Sequence, residues 1–305
     1  MKRRSAVAVG FILILTCMSG LWAQDNAALK KQVKELYDKT NQYWAAKDRD
    51  GSLSLMTDDF QMIFLGVGRE GVRVSLEAYF KQADQLRADY AISEIAPVRN
   101  MIKVIYDLKI EGKTGAEDWK VLYQGGAIDF LTNQNGVLKI ARSAQYDKSR
   151  AGNINGQTYA DKQTGISFTA PEGWLILPSS HPTIQGMVFA LAPDMTSVAA
   201  LGYVPSPGIN ARQAIEGDEA LSEKLSVEGT YKLFKSGPIS IGGHEGFETE
   251  SKFFLPSAQD RYRRRVYLNA GGKLHIFCFD AIPYTQWDKV KGGFQSILDS
   301  IKVAD

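Results

Sequence analysis

The hydrophobic rhythm of this chain changes partway through its first half, and that change limits what the half can fold into. Leu29, Val33, Leu36, Tyr37, Thr40 and Trp44 recur at helical spacing behind a cap at Asp25 or Asn26. A short helix around 53–56 and a strand over 60–65 follow, and Leu76, Tyr79, Phe80, Ala83 and Leu86 mark another helix. From there the pattern turns β-prone, over 90–95, 101–111, 119–131 and 137–146. The last two runs are joined by Thr132-Asn133-Gln134-Asn135-Gly136, a hairpin turn in which Asn and Gly tolerate positive φ. Helices first and a long antiparallel sheet after them make an α+β module, a cone in which helices close over one sheet face.

A second rhythm begins after a polar stretch, 148–157, that reads as a linker between domains at 26–147 and 158–305. A strand, a Pro171-Glu172-Gly173-Trp174 corner and three more strands come first. Asn210 then caps a helix, with Gln213 placed for reciprocal capping and Ile215, Leu221 and Leu225 as its apolar stripe. Strands over 231–241, 246–254, 261–268 and 273–281 form a meander turning at Gly242-Gly243 and Gly271-Gly272. A last helix has Thr285 as cap and Trp287, Val290, Phe294, Ile297, Leu298 and Ile301 on one side. The expected fold class is therefore α+β in two domains, the second an antiparallel sheet flanked by helices.

The start of the chain sets the compartment. Lys2, Arg3 and Arg4 precede an apolar run from Ala6 to Met18, and Gly20-Leu21-Trp22-Ala23 leads into polar Gln24-Asp25-Asn26. This is the pattern of a secretory signal peptide over 1–23, cleaved after Ala23. Membrane attachment is expected only if the leader stays uncleaved or if Cys17, in Ile14-Leu15-Thr16-Cys17, carries lipid. Of 36 Lys and Arg, three lie in the leader, against 34 Asp and Glu, so the exported chain is near neutral and unsuited to nucleic acid. Cys278 is then the remaining cysteine, which rules out an intrachain disulfide.

Tyr43-Trp44-Ala45-Ala46-Lys47-Asp48 followed by Met56-Thr57-Asp58-Asp59-Phe60 resembles the nuclear transport factor 2-like superfamily, which includes SnoaL-like proteins and ketosteroid isomerases. The isomerase branch implies a helix tyrosine, an aspartate base and a late-strand acid. Registered on Thr57-Asp58-Asp59, those positions hold Thr40, Phe64 and Asp129, so the base is missing. Gly165-Ile166-Ser167-Phe168, Pro171-Glu172-Gly173-Trp174, Gly243-His244-Glu245-Gly246-Phe247 and the closing 294–301 segment resemble PsbP-like and DcrB-like proteins. That resemblance implies an α/β/α sandwich and an accessory role in extracytoplasmic assemblies.

By strand alternation Asp129 shares a face with Trp119, Val121, Tyr123 and Ala127. If that face lines the cone, Trp119, Tyr123 and Asp129 are ligand-binding candidates for a small amphipathic molecule; otherwise the aromatics are core and Asp129 is a solvated rim. Arg261, Arg263 and Arg265 alternate onto one strand face, either a solvated sheet edge or a docking surface for an acidic partner. His181, His244 and His275 are scattered, no metal or cofactor motif occurs, and Cys278 between Phe277 and Phe279 reads as a core thiol. The sequence therefore points to an exported non-enzymatic accessory protein binding a protein partner or a small apolar ligand. The alternative is a small-molecule enzyme, isomerase- or lyase-like, using the cone cavity. Pairing of two copies through the open sheet face of the first domain is a further expectation.

Overall fold

The computed structural model describes residues 27–63, 66–181, 183–205, 208–256 and 259–304. The leader, its cleavage point and Cys17 lie outside the described residues, as does Phe64. The protein is α+β, built from three sheets with helices on their faces.

In the first half, helix α1 (27–45) precedes α2 (Arg49–Ser54), β1 (Met56–Met62) and α3 (Arg69–Gln82). Strands β2 (Gln85–Val98), β3 (Met101–Lys113), β4 (Lys120–Gln134) and β5 (Val137–Gln145) then meander antiparallel, and β1 adds to β5 in parallel. The α1 stripe buries Val33, Leu36, Tyr37 and Trp44. Asn135 and Gly136 turn the β4–β5 hairpin at φ of 54° and 85°, the left-handed region these residues accept. Helix α3 ends a turn earlier than its periodicity suggests. Ala83 already has extended backbone, and Leu86 belongs to β2, where it is buried against the same helices.

Alternation gives this sheet two different faces. Val104 and Tyr106 of β3 and Ala127 and Leu131 of β4 face the helices, while Ile105, Ile128 and Phe130 face away. A bulge at Ala141 of β5 changes the parity there. Leu138 and Ile140 face the helices before it, and Arg142 and Ala144 face away after it.

In the second half, a 3-10 turn (Lys148–Asn153) leads to β6 (Ile154–Asn155), β7 (Thr158–Asp161), β8 (Ile166–Thr169), β9 (Leu175–Pro178), β10 (Gln185–Leu191) and β11 (Val198–Pro205). Helix α4 (Ala211–Leu225), β12 (Lys232–Ile241), β13 (His244–Phe253), β14 (Arg261–Ala270), β15 (Lys273–Ala281), α5 (Trp287–Ser300) and β16 (Lys302–Val303) complete it. Seven strands form an antiparallel sheet ordered β12-β13-β14-β15-β11-β10-β9, beside a small sheet ordered β16-β8-β7-β6. One face of the large sheet packs Val266, Leu268, Phe277 and Phe279 against Val290, Phe294 and Ile297 of α5 and against the small sheet. The opposite face carries α4 and, beside it, the first half.

Three local expectations are corrected. Asn210 caps α4 by accepting from the Arg212 amide, with no reciprocal bond from Gln213 among those described. Leu221 and Leu225 are exposed, whereas Glu219 and Ser222 of the same helix are buried, because Arg265 lies beneath them. The final helix is entered through a 3-10 turn (Tyr284–Gln286), so Thr285 is not its cap.

The halves share one apolar cluster: Ile105, Ile128, Phe130 and Ala144 meet Leu177, Met187, Phe189 and Leu191. The sheet face expected to pair with a second copy is thus covered by the chain's own second half. Arg99, at φ of 56° in the β2–β3 turn, clasps this joint. Its guanidinium donates to the Ala192 and Pro193 carbonyls, each at 3.1 Å, and to the Gly173 carbonyl. Arg142 Nε donates to the Met195 carbonyl at 3.0 Å. In the polar connection between the halves, Arg150 is held by the carbonyls of Ser179 and Met187.

Candidate functional site

Inside the first half, between the helices and the sheet, lies a cavity of about 190 Å³. Leu55, Met56, Phe60, Met62, Val72, Leu76, Leu108 and Ile140 give it an apolar wall, and Tyr37, Tyr90, Tyr106 and Asp129 form its polar end. An adjoining space of about 290 Å³ shares Trp44, Met62, Val72, Leu76, Tyr106, Leu108 and Ser143 and extends to Tyr79, Tyr123 and Gln145. Together they form a pocket suited to a small molecule.

The polar end follows from the register. On β3 and β4, Val104 faces Asp129 and Tyr106 faces Ala127, so Tyr106 and Asp129 are diagonal neighbours on the helix-facing side. Tyr37, on the buried stripe of α1, comes down on the same point. Its hydroxyl donates to Asp129 Oδ2 at 2.8 Å, and that of Tyr106 donates to the same oxygen at 3.0 Å. The rings of Tyr37, Tyr90 and Tyr106 pack with centroids 4.9 to 5.3 Å apart. Asp129 is 2% exposed, and its Oδ1 makes no hydrogen bond of normal geometry among the described residues.

Burial raises the Asp129 carboxyl above its ordinary range, and Ser143, Tyr37 and Tyr106 offset only part of that rise. Tyr37 and Tyr106 are pushed well up, first by burial and then by the charge of Asp129 beside them. The group is therefore a carboxyl reluctant to ionise, held by two phenols that do not ionise near neutrality.

Of the candidates read from sequence, Asp129 lies at the cavity wall and Tyr123 in the adjoining space. Trp119 does not reach either. The β3–β4 ladder pairs Ile110 with Tyr123 and Glu111 with Val121, leaving Leu122 as a bulge that breaks the alternation. Val121 is half exposed, and Trp119 precedes β4 with the Arg87 guanidinium 4.4 Å above its ring. Thr40 lines the cavity, but its hydroxyl donates to the Leu36 carbonyl. The residue that reaches Asp129 is Tyr37, one helical turn earlier. Its place on the apolar stripe marked it as buried, and nothing local announced its hydroxyl's partner.

The arginine stripe is not a docking surface. Arg261 and Arg265 are 2% and 3% exposed, because β14 is an inner strand and α4 covers that face. Arg263 holds Asp280 with two contacts at 2.5 Å, Arg261 approaches the same carboxylate at 3.4 Å, and Arg265 pairs with Glu219. Burial alone would raise Asp280, but Arg263 and its neighbours hold it below the usual carboxylate range. Burial lowers Arg261 to about 10.

The remaining chemistry-bearing side chains are quiet. Burial pushes the Cys278 thiol up to about 11, far from the thiolate a nucleophile needs. His181 Nδ1 accepts from the Thr183 and Ile184 amides in a loop. Among the described residues no group of three or more potential metal ligands converges, and no helix is long and apolar enough to cross a membrane.

No protein-family model matches the sequence, and no curated protein matches it. Similar solved structures include Aln2 from a Streptomyces species, 15% identical over 39% of this chain and 89% of its own, with a TM-score of 0.36. ActVI-ORFA from Streptomyces coelicolor is 15% identical over 40% of this chain and 95% of its own, with a TM-score of 0.34. Cyanobacterial PsbP from a Synechocystis species is 17% identical over 50% of this chain and 96% of its own, with a TM-score of 0.38. Each of these likenesses covers half of this chain or less.

Proposed function

We propose that the chain is an exported, non-enzymatic protein that holds a small, mainly apolar molecule in the cavity of its first half. The observation that carries this reading is the cavity itself, an apolar space with the buried Asp129 carboxyl group and its tyrosines at the polar end. Export rests on the leader at 1–23. A protein partner loses its main support now that Arg261, Arg263 and Arg265 are spoken for within the chain.

The enzymatic alternative draws on one observation, the Tyr37–Asp129–Tyr106 group, whose carboxyl resists ionisation and could donate a proton. Against it, the described lining of the cavity contains no second carboxylate, histidine, lysine or cysteine to serve as base.

Native mass spectrometry of protein purified from its own envelope fraction tests the reading. A retained mass of a few hundred daltons or less is expected, lost on replacing Asp129 by Asn. A reproducible turnover abolished in both Asp129→Asn and Tyr123→Phe would overturn the non-enzymatic reading.

A further inference from the structure

The cavity's hydrogen-bonding sense narrows what it can hold. Tyr37 and Tyr106 both spend their hydroxyl hydrogens on Asp129 Oδ2. Thr40 donates to the Leu36 carbonyl, and Ser52 to that of Asp48. Four of the lining hydroxyls, those of Tyr37, Thr40, Ser52 and Tyr106, therefore have their hydrogens committed within the protein, leaving Tyr90 and Ser143 as the other lining hydroxyls. The carboxylate adds Oδ1, an acceptor with no hydrogen bond of normal geometry. A ligand head that only accepts finds few donors here; a head that donates finds several acceptors in one place.

Charge points the same way. The groups facing Asp129 are the hydroxyls of Tyr37 on α1, Tyr90 on β2, Tyr106 on β3 and Ser143 on β5, and among the described residues no lysine, arginine or histidine lines the cavity. Ionising a buried carboxyl without a counter-ion is unfavourable, which is why Asp129 resists it, and a cation brought by the ligand would favour the ionised form. The tyrosine rings add electron-rich faces around the same point.

We propose that the ligand is a small apolar amine, its ammonium group seated against the Asp129 carboxylate while its hydrocarbon part fills the cavity and the adjoining space. This inference rests on the reading of the cavity as a ligand site and gives that ligand its chemical class. Tyr37 and Tyr106 act as positioning residues, holding the carboxylate at the polar end of the cavity.

The test is calorimetric titration of the full chain with hexylammonium, hexan-1-ol and hexan-2-one at pH 7. Hexylammonium is expected to bind about 10- to 100-fold more tightly than either neutral probe, the range for a hydrogen bond to a charged group. Asp129→Asn is expected to erase that advantage, bringing hexylammonium down to the affinity of the neutral probes. In the wild type, hexylammonium affinity is expected to fall as acidification protonates Asp129, with hexan-1-ol indifferent, which tests the point without any variant. Neutral probes binding as tightly as hexylammonium would overturn the amine class and leave the cavity reading standing. Failure of all three probes, with nothing retained in the native mass spectrum, would overturn both.

Discussion

His275 makes this protein acid-sensitive in a predictable window. It sits mid-sheet on β15, between Leu268 of β14 and Tyr203 of β11, fully buried on the face that packs against the small sheet and α5. Among the described residues neither ring nitrogen makes a hydrogen bond of normal geometry. Burial, then the nearby charges of Lys273 and His244, lower its pKa from 6.5 to about 4, and the backbone at Ala270 offsets only part of this. The unfolded chain therefore takes up a proton near pH 6.5 that the folded chain refuses until about pH 4. The stabilising contribution is complete above 6.5 and is lost as pH falls through that interval. Over the whole window it amounts to about 3 kcal/mol, and at pH 5 to about 2 kcal/mol. At pH 5 that corresponds to a fall of about 4–8 °C in Tm. Urea denaturation of wild type and His275→Leu at half-unit steps from pH 7 to 4 measures it. The difference in stability between the two should shift by about 2 kcal/mol in favour of the variant on going from pH 7 to 5. Parallel profiles, with a constant difference across the window, would refute the assignment.

Other perturbations give separate readouts. Because burial raises the Asp129 carboxyl, its ionised form is a burden to the fold at neutral pH and its protonated form is not. Asp129→Asn should therefore raise Tm at pH 7, with the gain shrinking as pH falls to the ordinary carboxylate range, as calorimetry at pH 7 and 4 would show. Asp280→Asn leaves Arg261 and Arg263 without their shared carboxylate in a closed interior and should cost about 3–5 kcal/mol by denaturant titration. Gly126→Ala would set a methyl 2.2 Å from the Tyr146 carbonyl oxygen, a backbone atom with nowhere to go. It should destabilise by about 1–3 kcal/mol, and unchanged denaturation would argue against the close approach of Gly126 to Tyr146, whose amide donates to the Gly126 carbonyl at 2.9 Å.

Much of the fold could be read from sequence because periodicity records which face of an element is buried. The α1 stripe, the Asn135-Gly136 hairpin and the long meanders are all local signals of that kind. What escaped were features set by distant partners. Leu221 and Leu225 looked like the buried side of α4, but a salt bridge from Arg265 to Glu219 turned the polar side inward. Trp119 looked coplanar with Asp129 until the Leu122 bulge changed the parity. Tyr37 was legible as core and illegible as a partner of Asp129, since 92 residues separate them. The three arginines alternate as a surface stripe would; their burial depends on Asp280 and α4, which no local pattern reveals.

Strand β4 carries Asp129 on one side and Ile128 and Phe130 on the other. The five-stranded sheet is thus a party wall, with the cavity in one room and the second half of the chain in the next. Cutting the chain at residue 147 would not free a finished cone. It would strip Ile105, Ile128, Phe130 and Ala144 of their neighbours and leave Arg99 with no carbonyls to clasp. The second half is in this sense part of the masonry behind the site. A substitution at Phe189 or Leu191, on the far side of the wall, bears on the carboxylate through a single thickness of backbone.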